Sequence, residues 1–385
     1  MTGSKRRRSV LSPDVIETES CEAVTFGLRD VSPRHVPARR VTIDSDGDLL
    51  LVVGEDSVIE DDDRDTHKPT TFKVCSKALS RASPVFKRLL YGGFAESRRS
   101  DTMEWVVRLP EDKPNAMQLL LDILHSRFDQ VPDREDGSTR LQDIADLTVL
   151  TDKYGLASCL RPWARDWIAP LVTDFKARED SPDLQRNRLG SPMDERLWIM
   201  WELGHRVEFE RLTRELMWFT SLDADSYLVD TQSQPPRLVF ERIMEPSGAC
   251  EVITAGRLEL ITSLLQPFHQ WVEYLMTDSP DDRHPDNKKD SMLGATIRSF
   301  KRHDFWPLPD AAIVTDSASA LGKKLFNMCD CLYQNTSSGS FSKEMREMRD
   351  KTQAFLKKTE LPIEIKSAQV RHLEAQAKKT GLGGR

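Results

Sequence analysis

Chemistry in this chain would have to come from its thiols, its imidazoles or its charge runs. The closest thiol pair is Cys329 and Cys331, in "MCDCLY". A C-x-C pair holds zinc only when a second cysteine or histidine pair completes the tetrahedron, and none lies near it. The spacing favours small residues packed in a helix. Cys21, Cys75, Cys159 and Cys250 are scattered, which reads as reduced thiols rather than a disulfide framework. The histidines are His35, His67, His125, His205, His269, His284, His303 and His372; none belongs to H-E-x-x-H or a comparable constellation. His205 and His269 lie near helix faces and read as surface or packing residues. No G-x-S-x-G, G-x-x-x-x-G-K-[ST] or G-x-G-x-x-G occurs. "GLGGR", Gly381 to Arg385, has no strand before it and no helix after it, so it reads as a frayed tail. The expectation is a protein with no catalytic residue, no metal site and no cofactor.

The net charge of -7 speaks against a nucleic-acid footprint over the whole chain. The charge is uneven. "EDSVIEDDDRD", Glu55 to Asp65, is acidic; a divalent-ion site needs ligands fixed in geometry, so a solvated loop is the favoured reading over an ion trap or partner site. "SKRRRS" places Lys5, Arg6, Arg7 and Arg8 together. Such a cluster is either a nuclear-import signal or a solvated basic tail. No run of 18 apolar residues spans a membrane, and the basic N-terminus lacks the apolar stretch of a secretory signal. A soluble nuclear or cytoplasmic protein is expected.

With 385 residues, 38% of them hydrophobic, the chain can build two or three cores. Residues 1–40 lack sustained periodicity and read as a disordered basic tail. "LLLVV", Leu49–Val53, reads as a buried strand after the "SDGD" turn. "TTFKVC", Thr70–Cys75, is a second strand forming a hairpin with the first. "SKALSRA" is a short helix with Ala78 and Leu79 inward. Ser83 then caps a new helix with Pro84 in first position, and Phe86, Leu89 and Leu90 line its inner face. Gly92 or Gly93 ends it. A third strand, Trp105–Asp112, precedes a helix started by Asp112 or Lys113, with Ala116, Leu120, Ile123 or Leu124, and Phe128 on its face. Leu141, Ile144, Ala145 and Thr148 mark the next helix, closed by Gly155. "LASCLRPWARDWIAP" supplies the last, with Leu160, Trp163 and Trp167 inward.

Residues 41–170 therefore read β-β-α-α-β-α-α-α. Within them, Phe72 to Phe86 spells F-x-V-C-x-x-x-L-x-x-x-S-x-x-F, preceded by "DGDLLLVVG". This pattern resembles the BTB/POZ domain, most closely that of filamentous fungi. The resemblance places Asp48, Phe72, Val74, Cys75, Leu79, Ser83 and Phe86 at the family's structural positions. It departs where the family usually has histidine and this chain has Cys75, and in the acidic insertion after Gly54. What it implies is an α+β interaction module that forms homodimers or heteromers, docks onto a cullin of a ubiquitin ligase, or recruits transcriptional corepressors.

The remainder reads as a linker at 171–190, a mostly helical region at 191–360 and a flexible or helical tail at 361–385. "SPMDERLWIMWELG" suggests Ser191 as cap, Pro192 in first position and Asp194 completing a capping box, with Leu197, Trp198 and Trp201 on one side. Phe209, Leu212, Leu216 and Phe219 mark the next helix. Leu258, Ile261, Leu265, Phe268, Val272 and Leu275 mark a long one containing Pro267. Ser279–Ser291 reads as an exposed loop. Phe341, Met345, Met348, Thr352 and Phe355 form a heptad-like stripe, too short for a stable isolated coil and better suited to packing on its own domain. No repeat at a 20–50-residue period is found. The functional expectation is a non-enzymatic scaffold or adaptor, possible partners being itself or a cullin, serving nuclear regulation or substrate capture.

Overall fold

The computed structural model describes residues 39–55, 68–94, 96–97, 104–132, 141–179, 192–231, 233, 235–277, 286–335, 339–356 and 364–383. Lys5, Arg6, Arg7 and Arg8, and most of the acidic run, lie outside them. The first described element is β1 (Arg39–Thr42), an edge strand that overlaps the expected disordered tail. Its "RRVT" carries little apolar signal; ladder pairing to β3 (Thr70–Val74) supplies the order instead, with Val41 opposite Phe72. β2 (Leu49–Val53) runs antiparallel to β3, so the expected hairpin forms, and parallel to β4 (Val106–Leu109). The sheet order is β1-β3-β2-β4. Leu49, Leu51, Val53, Phe72, Val74 and Val107 turn to the core by the two-residue period of a strand.

α1 (Ser76–Ala82) and α2 (Pro84–Tyr91) form the expected helical hairpin. Ser83 caps α2, its Oγ accepting from Val85 N at 3.1 Å and Phe86 N at 3.0 Å. Inside α1, Ser76 is buried beside Leu79, whereas Ala78 is only half-buried. Gly93 takes the left-handed conformation just past α2.

α3 (Pro114–Leu124) starts after Lys113, which makes no side-chain cap. Asp112 is instead a buried acceptor for Lys153 Nζ at 2.6 Å and for the Tyr154 hydroxyl. Phe128 departs from expectation. α3 ends first, and Phe128 sits on a 3₁₀ turn, 57% exposed, with its ring 5.7 Å from that of Trp163. α4 (Leu141–Tyr154) has the expected face and ends at left-handed Gly155. The single helix expected from Leu156 is two pieces: a 3₁₀ turn at Ala157–Leu160, then α5 (Ala164–Glu179). Pro162 lies at the break, where its missing N–H cannot continue a helical ladder. α5 also carries helix into the stretch expected as a linker.

α6 (Met193–Leu203) follows Pro192, which stands before the helix without a side-chain cap; Ser191, the expected cap, lies outside the described residues. The capping-box reading of Asp194 fails. Its carboxylate pairs with Arg237 and accepts the Phe240 N–H at 2.9 Å. Left-handed Gly204 leads into α7 (Arg206–Phe219), with Phe209, Leu212 and Leu216 buried. A small antiparallel sheet that the sequence reading missed comes next: β5 (Thr220–Leu222), β6 (Leu228–Asp230) and β7 (Arg237–Leu238). Strands this short leave almost no alternation to read.

α8 (Ala249–Met276) contains Pro267, as expected, but Leu258 is exposed. Arg257 takes the inward place, its guanidinium donating to the carbonyls of Thr220, Val314 and Asp316 at 3.2, 2.7 and 2.6 Å. The loop expected through Ser291 gives way to α9 (Asp286–Arg302). α10 (Ala318–Asn335) packs along α11 (Gly339–Leu356), and the stripe residues Met345, Met348 and Thr352 are buried within the chain. The Phe341 side chain lies outside the description. α12 (Ser367–Thr380) ends at left-handed Gly381, and Gly383 N donates to the Ala377 carbonyl at 3.1 Å. As far as Gly383, the expected frayed tail is a helix cap.

The described residues pack as one contiguous unit, with α6 against α4 and α12 against both α6 and the 3₁₀ turn at Ala157–Leu160. Phe86 lies in this core, fully buried and stacked on Tyr154 at 4.2 Å. Phe86→Ala is expected to cost about 3–5 kcal/mol of unfolding free energy, measured by denaturant titration. Ser83→Ala is expected to cost about 1–2 kcal/mol from the lost cap.

Candidate functional site

The polar residues that the structure gathers in the first half are holding the backbone. Asp48 Oδ1 accepts from Ser76 N and its Oδ2 from Ser76 Oγ, both at 2.8 Å. Ser76 Oγ lies 2.6 Å from the Tyr91 hydroxyl. Cys75 N donates to His125 Nε2 at 3.1 Å, and His125 Nδ1 lies 2.9 Å from the Leu121 carbonyl. One tautomer, with the proton on Nδ1, satisfies both contacts. Position 75 is a cysteine, yet an imidazole braces its backbone from the end of α3. Phe72, Val74, Leu79 and Phe86 are fully buried, so the sequence-chosen positions form a core with Ser83 as its cap.

The surface beside that core is different. Tyr91, Phe94 and Val106 are 41%, 60% and 41% exposed. Val106 opens β4, an edge strand of the sheet among the described residues, while Tyr91 ends α2 and Phe94 follows three residues later. The Tyr91 ring meets Trp105 edge-on at 5.7 Å and carries Lys77 Nζ 4.1 Å above it. The Arg108 side chain extends from β4 to pair with Glu55, which is the described end of the acidic run. Exposed apolar side chains near a strand edge that has no partner among the described residues are suited to burial against another protein.

The thiols and imidazoles fall elsewhere. Cys329 is buried and Cys331 exposed, so the C-x-C pair points into two environments. His205 caps α7, its Nδ1 accepting from Glu208 N at 3.3 Å, and His269 Nε2 lies 3.2 Å from the Pro309 carbonyl. Among the described residues no group of three histidine, cysteine or acidic side chains is arranged to hold a metal, and no helix is long and apolar enough to cross a membrane.

The sequence reading missed the joint between the halves. α6 is buried on every side, charged residues included: Asp194, Glu195, Arg196 and Glu202 are all inside. Burial, reinforced by Asp194 and Asp146, pushes the Glu195 carboxyl up to about 7 against the pull of Arg237 and Lys113. Arg237 is paired with Asp194, and Lys113 with Asp146 at 2.8 Å. The signal was present in "DERLWIMWEL", where apolar residues occupy too much of the helix for any face to be left to water. No family model, curated protein or solved structure matches the chain.

A folded-state carboxyl near 7 keeps a proton that the unfolded chain releases near 4.5. Its contribution to stability is full below the unfolded value and is lost as pH rises through the folded one. Glu195→Gln removes this titration. Relative to the unaltered protein, the variant is expected to gain about 2 kcal/mol between pH 5 and pH 8, read from denaturant midpoints at both pH values.

Proposed function

We propose that this chain is a protein-interaction scaffold that acts by binding through a BTB/POZ-like first half, not by catalysis. The observation that carries the reading is the exposure of Tyr91, Phe94 and Val106 together with the edge position of β4 among the described strands. The element order of residues 39–179 supports it, with the Asp48–Ser76 contact and the Ser83 cap at the motif positions. Burying apolar surface and pairing a free strand edge is the mechanism, and the partner favoured first is a second copy of the chain. A stable obligate interface would bury roughly 2,000 Å² or more in total. The basic cluster at Lys5–Arg8 supports a nuclear setting and a regulatory role.

A second reading is a substrate adaptor of a cullin-based ubiquitin ligase. It draws support from the way α6 and α12 seat the helical half on the first half. An adaptor must hold captured protein at a fixed distance from its scaffold, and a packed joint does so better than a flexible linker. Cullin capture by the full chain supports this reading, whereas nuclear enrichment lost on Lys5–Arg8 alanine substitution supports the first.

Sedimentation of the full chain at tens of micromolar is expected to show dimers that Phe94→Asp and Val106→Asp convert to monomers. Both positions are exposed, so the fold should survive substitution. A strictly monomeric unaltered chain would remove the homodimer from the proposal.

A further inference from the structure

α12 crosses the end of α6 at very short range. A Cβ at Gly204 would fall 2.2 Å from Ala377 N and 2.6 Å from the Leu373 carbonyl oxygen, so only glycine permits the approach. Thr380 Oγ1 donates to the Leu203 carbonyl at 2.7 Å, and the His372 ring stacks on Trp201 with centroids 3.9 Å apart. Glu202 lies fully buried at the centre of this contact. The Gln376 amide donates to Glu202 Oε2 at 2.7 Å. The Thr151 hydroxyl donates to the Thr148 carbonyl at 3.0 Å and stands 3.5 Å from Glu202 Oε1.

Two buried polar atoms of α12 here have no hydrogen-bond partner among the described residues, His372 Nε2 and Gln376 Oε1, and the second is an acceptor that needs a donor. A carboxylate cannot supply one, but a carboxylic acid can. An amide and a carboxylic acid pair through two hydrogen bonds, the amide N–H to one acid oxygen and the acid O–H to the amide oxygen. We propose that α12 is a pH-responsive strap, seated while Glu202 holds a proton that it donates to Gln376 and loosened when that proton is lost.

The charged surroundings agree with the geometry. Burial and then Asp152 of α4 push the Glu202 carboxyl up to about 8, against Gln376, Lys379 of α12 and Thr151. His372, one turn before Gln376, is moved down from its ordinary value by burial and Lys379, with Asp152 and the Trp201 backbone opposing. Around neutral pH the seat therefore holds two uncharged groups. Once α12 detaches, Glu202 returns to its ordinary value of 4.5. The seated state thus binds the extra proton between about 4.5 and 8. Seating weakens as pH rises across that window and stops changing above it. The His372 effect has the opposite sign and lies below its ordinary 6.5. Release would uncover Trp201 and the α6 surface around Gly204.

Hydrogen exchange of α12 amides in the full chain tests this, with rates corrected for intrinsic pH dependence. The opening equilibrium is expected to rise about tenfold per pH unit from pH 6.5 to about 8, then level off. Glu202→Gln keeps a paired donor without a titrating proton and is expected to give a flat profile. Equal slopes in the two proteins overturn the proposal. The carboxyl carbon resonance of Glu202 in the unaltered chain gives a readout that needs no folded variant. A midpoint near 8 supports the strap, and one near 4.5 sinks it.

Discussion

The Ser83 hydroxyl is the contact on which the first half depends. It accepts from Val85 N and Phe86 N, and it donates to the Tyr154 carbonyl at 2.6 Å across 71 positions of sequence. One oxygen thereby starts α2 and fastens the last residue of α4, two backbone ends that would otherwise be left wanting partners inside the protein. The Phe86 ring stacks on Tyr154 directly beside it, and the Tyr154 hydroxyl reaches Asp112 ahead of α3. Burial and the Asp112 carboxylate push the Tyr154 phenol upward, so it stays a donor. α2, α3 and α4 are thus held at one point, and α4 then offers its other side to α6.

Much of that arrangement was legible because it is local. Ser-Pro before an apolar face specifies a helix start through capping and a preset φ, and the strands at β2 and β3 carry enough β-branched and apolar residues to be read directly. The failures share a different cause. β1 is ordered by its ladder to β3, which no local pattern announces. Asp194 looked like part of a cap because its spacing suited one, but a guanidinium 43 positions away took the carboxylate. Leu258 fitted the apolar stripe of α8 until Arg257, with three distant carbonyls to satisfy, claimed the inward position. In each case a long-range hydrogen bond outweighed a local preference worth less than ~1 kcal/mol.

The candidate site divides along the same line. Its core residues could be named from the sequence because burial follows periodicity. The exposed surface could not, since Tyr91 and Val106 belong to α2 and β4, and their exposure is set by the fold rather than by a local pattern. The charged interior of α6 was equally hidden. A helix bearing two aspartate or glutamate residues in its first turn usually complements its own dipole at the surface, and α6 has that pattern at Asp194 and Glu195 while lying wholly inside.

Burying those carboxyls is unfavourable by itself, and the chain treats them in two ways. Asp194 receives a guanidinium and a backbone N–H, which offset the cost of its burial. Among the described residues no cation forms an ion pair with Glu195 or Glu202; both are moved toward or past neutrality by burial. They lie seven residues apart, two helical turns, which puts them on one side of α6, and their electrostatic neighbours include Asp146 and Asp152 of α4. Along the seam where the halves meet, the protein has therefore set acids opposite acids. Arg237, Lys113 and Lys379 offset part of that charge, and a proton on Glu202 offsets more, whereas the Ser83 contact within the first half depends on no titrating group. The consequence is a first half fastened at Ser83 by a neutral contact, joined to the second half through a strap whose seating varies with pH.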